Sequence, residues 1–255
     1  MVHMNWFVTG ASSGIGRGIA LELAKRGDAV ALFARSADKL EAVAAEVRLL
    51  GGKAPVFPGD VRRYMDIENA VRESYEAMGS LDAVVSCAGM GHLGSFVEQD
   101  PERWGEMFST NALGAMHLVK AALPGMLERK EGRIGIISSI IGRMGFAGMT
   151  SYSASKFALH GFVQGLRAEL RNTSISLTLI CPGTVETPFL EKIDRKYIPS
   201  QDRYLPHLTP EQVARMTVKA VLKRTKMITR PTVAWLLLRL HDFFPKTIER
   251  VFYWF

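Results

Sequence analysis

The stretch NWFVTGASSGIGRGIALELAKRG, residues 5–27, decides the fold. Asn5–Thr9 is a short apolar run rich in strand-favouring residues, and it predicts a first β-strand. Residues 19–27, IALELAKRG, carry apolar side chains at helical spacing until Gly27 ends the pattern. Gly10, Gly14 and Gly16 therefore lie where a strand turns into a helix. Glycines there permit a tight turn and let backbone amides and the helix N-terminus approach a pyrophosphate.

A glycine-rich turn taken alone also fits an ordinary loop, and the spacing here is not the commoner Gly-x-Gly-x-x-Gly. The next strand, Ala29–Ala34, is continuously apolar, as expected for a parallel strand covered on both faces. It ends at Arg35. In such folds an acidic side chain near this point binds the adenosine ribose 2′-hydroxyl, whereas an arginine accommodates a 2′-phosphate. Arg35 therefore favours NADP(H), with NAD(H) as the alternative.

Strand and helix patterns then alternate along the chain. Further strands are predicted at 54–57, 81–86, 133–138 and 175–180, with an edge strand at 227–229, and helices at 37–49, 65–78, 101–128, 152–171 and 211–224. Six strand–helix units predict an α/β fold with a doubly wound, Rossmann-like parallel sheet. Because no linker or repeat divides the pattern, we expect one dinucleotide-binding catalytic domain over residues 1–255 with a C-terminal helical extension.

Composition bounds the class of protein. The chain is 47% apolar and 22% charged, which is typical of globular proteins rather than disordered ones. Cys87 and Cys181 are far apart in strand-like contexts, so neither a disulfide framework nor a metal site is predicted. The first glycine of the turn is already residue 10, which leaves no room for a signal peptide. We therefore expect a reducing, cytoplasmic location.

The segment YSASK, residues 152–156, predicts proton-transfer chemistry. Tyr152 and Lys156 are four residues apart on a predicted helix, so they share one face. A tyrosine pKa is about 10, and a nearby ammonium group is expected to lower it toward neutrality. The pair then fits a general acid or base. Alone, such a pair equally fits a solvated helix face.

Together these segments resemble the classical short-chain dehydrogenase/reductase family over roughly residues 4–190. The resemblance rests on TGASSGIG (9–16), DV (60–61), AG (88–89), Asn111, Ser139, YSASK (152–156) and PGTVET (182–187). It implies that Tyr152 exchanges the proton of the reacting oxygen. Lys156 would lower the pKa of Tyr152 and bind the nicotinamide ribose, and Ser139, rather than Ser138, would hydrogen-bond the substrate oxygen. Asn111 would hold a water that links the lysine to solvent.

The resemblance also implies a cofactor-binding set. Asp60 and Val61 match adenine contacts, and the segment from Pro182 faces the nicotinamide. The full set is Gly10, Ser12, Ser13, Gly14, Ile15, Gly16, Arg35, Asp60, Val61, Cys87, Ala88, Gly89, Tyr152, Lys156, Pro182, Gly183, Val185 and Thr187.

The implied activity is hydride transfer between NADP(H) and a secondary alcohol or carbonyl. The alternative is a non-catalytic nucleotide-binding redox sensor or scaffold of the same fold. The intact Ser139, Tyr152, Lys156 and Asn111 set favours the enzyme, because a pure binder needs no phenol–ammonium pair.

Two positions depart from the family pattern. Members that prefer NADP(H) often carry a second basic residue just before the middle glycine, where this chain has Ser13. Arg17 lies one residue past the last glycine, and the sequence leaves open whether it replaces that basic residue. The turn usually written Asn-Ala-Gly begins here with Cys87, which cannot make the amide hydrogen bonds of asparagine. The anchoring of that loop is therefore in question.

Three further segments lie outside the predicted set of site residues. Residues 189–210, long and mixed in composition, predict a lid over an apolar alcohol or ketone, such as a steroid, a fatty acyl chain or a retinoid. The same residues also fit plain packing. The family resemblance implies a homodimer or homotetramer in which the Tyr152 helix and the preceding long helix form a two-fold interface. Gly161 and Gly165, one turn apart on the Tyr152 helix, would allow such close approach. The alternative is that these glycines face the sheet.

The C-terminal arm, 231–255, is basic and aromatic. From Lys223 onward there are seven Lys and Arg against two acids, so +5 of the net charge of +7 lies there. A basic tail fits anionic lipid, nucleic acid or a solvated face, and for an enzyme of this family we expect no nucleic acid partner. The arm is too short and too interrupted to span a bilayer. It fits peripheral membrane contact, a subunit contact or a roof over the substrate pocket.

Overall fold

A seven-stranded sheet organises the computed structural model, which describes residues 3–187 and 206–253. Its strand order is β3-β2-β1-β4-β5-β6-β7, and every neighbouring pair is parallel. The strands are β1 (Asn5–Thr9), β2 (Ala29–Ala34), β3 (Val56–Pro58), β4 (Ala83–Ser86), β5 (Glu131–Ile137), β6 (Ser174–Pro182) and β7 (Met227–Arg230). The doubly wound parallel sheet predicted from the sequence is confirmed, including its edge strand β7.

Helices flank the sheet. They are α1 (Gly14–Lys25), α2 (Ala37–Leu49), α3 (Tyr64–Met78), α4 (Pro101–Phe108), α5 (Gly114–Glu128), α6 (Thr150–Glu169), α7 (Pro210–Leu222), α8 (Thr232–Phe243) and α9 (Pro245–Tyr253). Short 3-10 turns lie at Phe96–Glu98 and Ile140–Gly142. The predicted long helix 101–128 is one helical run in which a π-helical segment, Ser109–Leu113, joins α4 to α5.

The two faces of the sheet are covered by different helices. In β1, Phe7 points to one face and its neighbours Trp6 and Val8 to the other, and all three are fully buried. The Phe7 face packs against α3, α5 and α6. The Trp6 face packs against α1, α2 and α7. Burial on both faces explains why the strands are almost uninterrupted apolar runs.

The strand order reverses between β1 and β4, and this reversal positions the site. Ligands of doubly wound sheets bind at the carboxyl ends of the strands, next to such a switch point. The predicted functional residues lie at those ends. The glycine turn follows β1, Arg35 follows β2, Asp60 follows β3, Cys87 follows β4 and Ser139 follows β5.

The chain leaves β6 and returns through α7. Most of the predicted lid, residues 189–205, lies outside the described residues. Helix α7 begins with a capping box: Thr209 Oγ1 accepts from the Gln212 N–H at 3.2 Å, and Gln212 Oε1 accepts from the Thr209 N–H at 2.9 Å. Within the described part of the chain, no helix has both the length and the apolarity to cross a membrane.

Candidate active site

The glycine-rich turn forms a cradle that leaves room only for backbone. Gly10 and Gly14 have φ values of +67° and +51°, a region that favours glycine. A Cβ on Gly16 would lie 2.2 Å from the Gly10 carbonyl oxygen, and one on Gly10 would lie 2.8 Å from Ala88 Cα. The turn is therefore as tight as a backbone cradle for a pyrophosphate requires, at the N-terminus of α1.

One cavity of about 1020 Å³ joins the predicted site residues. Every predicted cofactor-binding residue lines it, from Gly10 to Thr187, together with Ser139. Asn111 is the one member of the predicted set outside the cavity lining. Residues far apart in the sequence thus meet at the carboxyl edge of the sheet.

Basic side chains surround the end of the cavity after β2 and β3. Arg35 is exposed there and forms no salt bridge with any described residue. The Asp60 carboxylate accepts from Arg62 at 2.6 Å. This hydrogen bond is the main reason why the pKa of Asp60 is lowered, and the charge of Arg35 contributes less. Lys39, which the sequence did not single out, also lines this end.

Arg17 does not replace the missing basic residue of the glycine turn. Its guanidinium donates to both carboxylate oxygens of Glu46 on α2, at 3.0 and 2.5 Å, and it lies outside the cavity lining. The pairing ties α1 to α2 instead. Lys39 lines the cavity three residues along the chain from Ser36, which caps α2, so it could supply a second cation for a 2′-phosphate.

The loop after β4 is anchored without an asparagine. The buried Thr9 Oγ1 accepts hydrogen bonds from the backbone N–H groups of Cys87 and Ala88, at 3.1 and 3.2 Å. Burial raises the pKa of the Cys87 thiol to about 12, so this thiol stays neutral. Thr9 thus supplies the anchoring that the sequence left in question. Its strand position gave no sign of this role.

Asn111 holds the next residue of that loop from the π-helical segment. Its Oδ1 accepts from the Met90 N–H at 2.8 Å, and its Nδ2 donates to the Met90 carbonyl at 2.9 Å and to Ser155 Oγ at 3.0 Å. The Ser155 hydroxyl donates to the Tyr152 carbonyl at 2.7 Å. A Cβ on Gly89 would lie 3.3 Å from Asn111 Oδ1 and 3.6 Å from Lys156 Nζ. Asn111 therefore lies next to the lysine across Gly89.

Ser139, Tyr152 and Lys156, the predicted catalytic group, lie together in the cavity lining. Ser139 is hydrogen-bonded to Tyr152, and its Oγ also accepts from the Ile141 N–H at 3.3 Å. Ser138 turns the other way, with its hydroxyl 3.4 Å from the Lys156 carbonyl. Lys156 Nζ donates to the Ile137 carbonyl at 3.1 Å and lies 5.8 Å from the centroid of the Tyr152 ring.

The pKa of Tyr152 is shifted in the direction opposite to our prediction. Burial raises the pKa of this phenol well above its ordinary value, and the Ser139 hydrogen bond lowers it only in part. Burial also lowers the pKa of Lys156 to about 8. The spacing on the helix was right, but the sequence does not show how deeply the pair is buried. At neutral pH the phenol therefore holds its proton.

A buried polar cluster lies behind the lysine. His160 Nε2 lies 3.8 Å from Cys181 Sγ, and a Cβ on Gly142 would lie 2.9 Å from the same nitrogen. Burial, with smaller contributions from Arg143 and Arg167, lowers the pKa of His160 to about 4. The imidazole is therefore neutral at physiological pH. Neither the sequence motif nor the resemblance singled it out.

The remaining wall of the cavity is apolar. One part comes from the segments that flank Ser139 and Tyr152, and the other from the inner face of α8. The apolar lining residues are Met90, Leu93, Ile141, Met144, Phe146, Met149, Ala234, Leu237 and Leu238. A salt bridge of 2.5 Å joins Arg143, after the serine turn, to Asp242 of α8. The C-terminal arm thus contributes to the pocket, as one of its three predicted roles required.

Comparisons with known proteins agree with this geometry. The model of the short chain dehydrogenase family matches residues 5–198. The 3-ketodihydrosphingosine reductase of Bos taurus is 35% identical over 221 residues, which cover 83% of this chain and 66% of that protein. Ketoacyl reductase HetN of Nostoc sp. is 32% identical over 254 residues, which cover 97% of this chain and 88% of that protein. The match spans just under two thirds of the bovine reductase.

A solved structure shares the fold. It is the alcohol dehydrogenase of the archaeon Thermococcus sibiricus, complexed with 5-hydroxy-NADP. The two chains superpose with a TM-score of 0.79 at 26% sequence identity, over 89% of this chain and 96% of that one. The likeness therefore includes the Rossmann-like sheet and nearly all of the known structure.

Proposed function

The chain belongs to the short-chain dehydrogenase family, whose members are oxidoreductases of alcohol and carbonyl groups, and we propose that it is an NADP(H)-dependent reductase of an apolar ketone. One observation carries the proposal. A single cavity joins a glycine cradle, an arginine that has no salt bridge to a described residue, the Ser139–Tyr152–Lys156 group and an apolar wall. These are the parts needed to hold a dinucleotide, a proton donor and an apolar carbonyl compound side by side.

The residues present fit a dinucleotide. The cradle of Gly10, Gly14 and Gly16 would hold the pyrophosphate, because a Cβ at Gly10 or Gly16 would collide with backbone. Pro182 and Gly183 would border the nicotinamide, and Lys156 its ribose. When bound, the nicotinamide supplies or accepts the hydride.

Arg35 supports NADP(H) over NAD(H) within this proposal. Its guanidinium lies at the cavity end where the ribose 2′ position of a bound dinucleotide would fall, and Lys39 adds a second positive charge. Asp60, the nearest acid, is already bound by Arg62. A 2′-phosphate would therefore meet cations rather than an unpaired carboxylate, and arginine binds phosphate by strong, often bidentate hydrogen bonds.

Tyr152 serves as the proton donor in reduction. Its raised pKa keeps the phenol protonated at neutral pH, and its hydroxyl lies beside Ser139. As a carbonyl is reduced, negative charge develops on its oxygen. Two hydroxyl groups aimed at that oxygen stabilise this charge, and Tyr152 then transfers its proton to it. Asn111 holds the loop beside Lys156, and we propose that it keeps a water path to that amine.

The substrate is proposed to be an apolar ketone or secondary alcohol. Leu93, Met144 and Met149, together with α8, give the pocket a wall that excludes water and offers few polar groups. The names of two relatives, 3-ketodihydrosphingosine reductase and ketoacyl reductase, also describe ketones. A ketone carried by a long hydrocarbon chain fits both the wall and this likeness.

The test is NADPH consumption over a panel of ketones of increasing hydrocarbon length. We expect kcat/KM to rise with chain length, because each methylene buried against the apolar wall contributes about 0.8 kcal/mol. Short polar ketones should react poorly. If no ketone on the panel oxidises NADPH, or if polar ketones are preferred, the proposal is wrong.

We also propose a homo-oligomer that pairs α6 across a two-fold axis. Gly161 and Gly165 are exposed on α6, and a Cβ at either would meet no atom within 4 Å. They do not face the sheet, so that alternative is wrong. Phe157, on the same outer side, is also exposed. Sedimentation should give a dimer or tetramer, and Gly165→Glu should shift it toward a 28.2 kDa monomer. A monomeric wild-type protein would refute the pairing.

A further inference from the structure

Helix α8 presents apolar side chains on two separate sides. On the inner side, Ala234 and Leu238 are buried and line the cavity together with Leu237. On the outer side, Leu236 and Phe243 are 50% and 76% exposed. A helix that served only as a pocket wall would carry polar residues on its outer side. The exposed apolar residues therefore indicate that the outer side of α8 is a second contact surface.

The outer apolar residues form one stripe. Val233, Leu236, Leu240 and Phe243 recur at spacings of three and four, so they lie on one side of the helix. Phe244, which follows α8, is also exposed. We call these five residues the outer stripe. None of them lines the cavity.

The charges beside the outer stripe are basic. Arg239, Lys246 and Arg250 are exposed on α8 and α9. The two acids of the arm have partners: Asp242 binds Arg143 at 2.5 Å and lies 3.8 Å from Arg239, and Glu249 lies 3.3 Å from His241 Nε2. An approaching anionic surface would therefore meet cations next to apolar side chains, with little opposing charge.

We propose that α8 and α9 dock on an anionic lipid bilayer through the outer stripe. Aromatic and aliphatic side chains with neighbouring cations are the pattern of a helix that lies in the membrane interface. With 12 residues, α8 is about 18 Å long and would lie flat on the surface. The inner side of α8 would then form the pocket wall, and its outer side would form the contact with the bilayer. Resting on the proposed function, this arrangement lets an apolar ketone pass from the bilayer to the pocket along one helix.

The test is co-sedimentation of the full chain with vesicles of phosphatidylcholine and phosphatidylserine, and with phosphatidylcholine alone. We expect binding to the anionic vesicles that weakens at high salt, because surface attraction is screened over about 10 Å at 0.1 M. Leu236→Asp and Phe243→Asp should each lower the partition coefficient about tenfold or more, since each removes an apolar side chain from the interface. Leu49→Asp is the matched control, because Leu49 is a leucine of α2 that is 87% exposed.

A second pair of variants tests the charges. Lys246→Gln should lower binding to anionic vesicles about fivefold, whereas Lys53→Gln, at the opposite edge of the sheet before β3, should leave it unchanged. If an aspartate variant fails to fold, these two glutamine variants still test the proposal. The readout is binding, so it does not depend on whether any ketone is reduced.

Three outcomes would overturn the proposal. One is a wild-type protein that does not bind anionic vesicles at low salt. Another is binding that the outer-stripe variants do not weaken. The third is a change of oligomeric state in those variants without any change in vesicle binding, which would make the outer stripe a contact with a second copy.

Discussion

At the scale of single residues, we propose that the charge that follows β2 governs the choice of cofactor. Arg35 lines the cavity without a salt bridge to a described residue. We expect Arg35→Asp to move the ratio of kcat/KM values for NADPH and NADH toward NADH by about tenfold or more, equivalent to about 1.4 kcal/mol. The aspartate would repel a 2′-phosphate and accept from a 2′-hydroxyl.

The matched control for this change is Arg48→Asp. It alters the net charge equally, but Arg48 lies at the end of α2 and outside the cavity lining. Steady-state rates with both cofactors give the measurement. A wild-type enzyme that uses NADPH and NADH equally well would contradict the role of Arg35.

A second prediction at this scale concerns Thr9, the anchor of the loop after β4. Thr9→Val keeps the shape of the side chain but removes the acceptor of two backbone N–H groups, those of Cys87 and Ala88. Unsatisfied buried donors cost about 1–3 kcal/mol each, so urea unfolding should show a loss in that range or above it. Thr9→Ser, which keeps the hydroxyl, should recover most of the loss. Equal stability of the valine variant and the wild-type protein would show that the hydroxyl is dispensable.

At the scale of elements, α6 carries a half-buried histidine, His160, whose titration should affect folding. Burial beside Arg143 and Arg167 lowers the pKa of His160 to about 4, whereas a histidine in the unfolded chain has a pKa of about 6.5. Between these values the unfolded chain binds the extra proton, so the stability that His160 contributes is lost as pH falls through this window.

His160→Gln should therefore flatten the pH dependence of the unfolding free energy between about pH 6.5 and 4. The measurement is urea unfolding at several pH values. His92→Gln, a substitution of an exposed histidine, is the control and should keep the wild-type slope. An unchanged slope in His160→Gln would mean that this imidazole does not titrate differently in the folded protein.

Elements were predictable from the sequence where their cause is local. Apolar runs predicted the strands to within a few residues, and helical spacing predicted the start of α7 to within one residue. The glycine turn, Ser139 and the Tyr152–Lys156 pair could be placed because each follows a strand or repeats on one helical face. In these cases a short stretch of sequence is enough to determine the geometry.

What the sequence missed depends on contacts between distant segments. Thr9 meets Cys87 across 78 residues, and Arg143 meets Asp242 across 99. Nothing near either residue indicates its partner. The pKa of Tyr152 was predicted in the wrong direction for the same reason, because burial is a property of the assembled fold. The sequence likewise did not show that α8 has one apolar side lining the cavity and another that is exposed, because the cavity is formed by distant segments.

At the scale of the whole molecule, the sheet aligns two chemically different ends of one cavity. The cationic end after β2 and the apolar end beside α8 lie on either side of the Ser139–Tyr152 pair. We propose that the protein reduces an apolar ketone with NADPH in this cavity and that Tyr152 donates the proton. If so, removal of the Tyr152 hydroxyl should stop turnover while NADPH still binds.

The decisive measurement is the rate of NADPH oxidation by Tyr152→Phe with the ketone that the wild-type protein reduces best, together with the NADPH dissociation constant of both proteins. We predict a loss of turnover of about 10²–10⁴-fold, the usual cost of losing a general acid, and an NADPH affinity within a few-fold of wild type. Tyr64→Phe, whose hydroxyl binds Glu68 outside the cavity lining, should keep full turnover. Near-normal turnover of Tyr152→Phe would contradict the account.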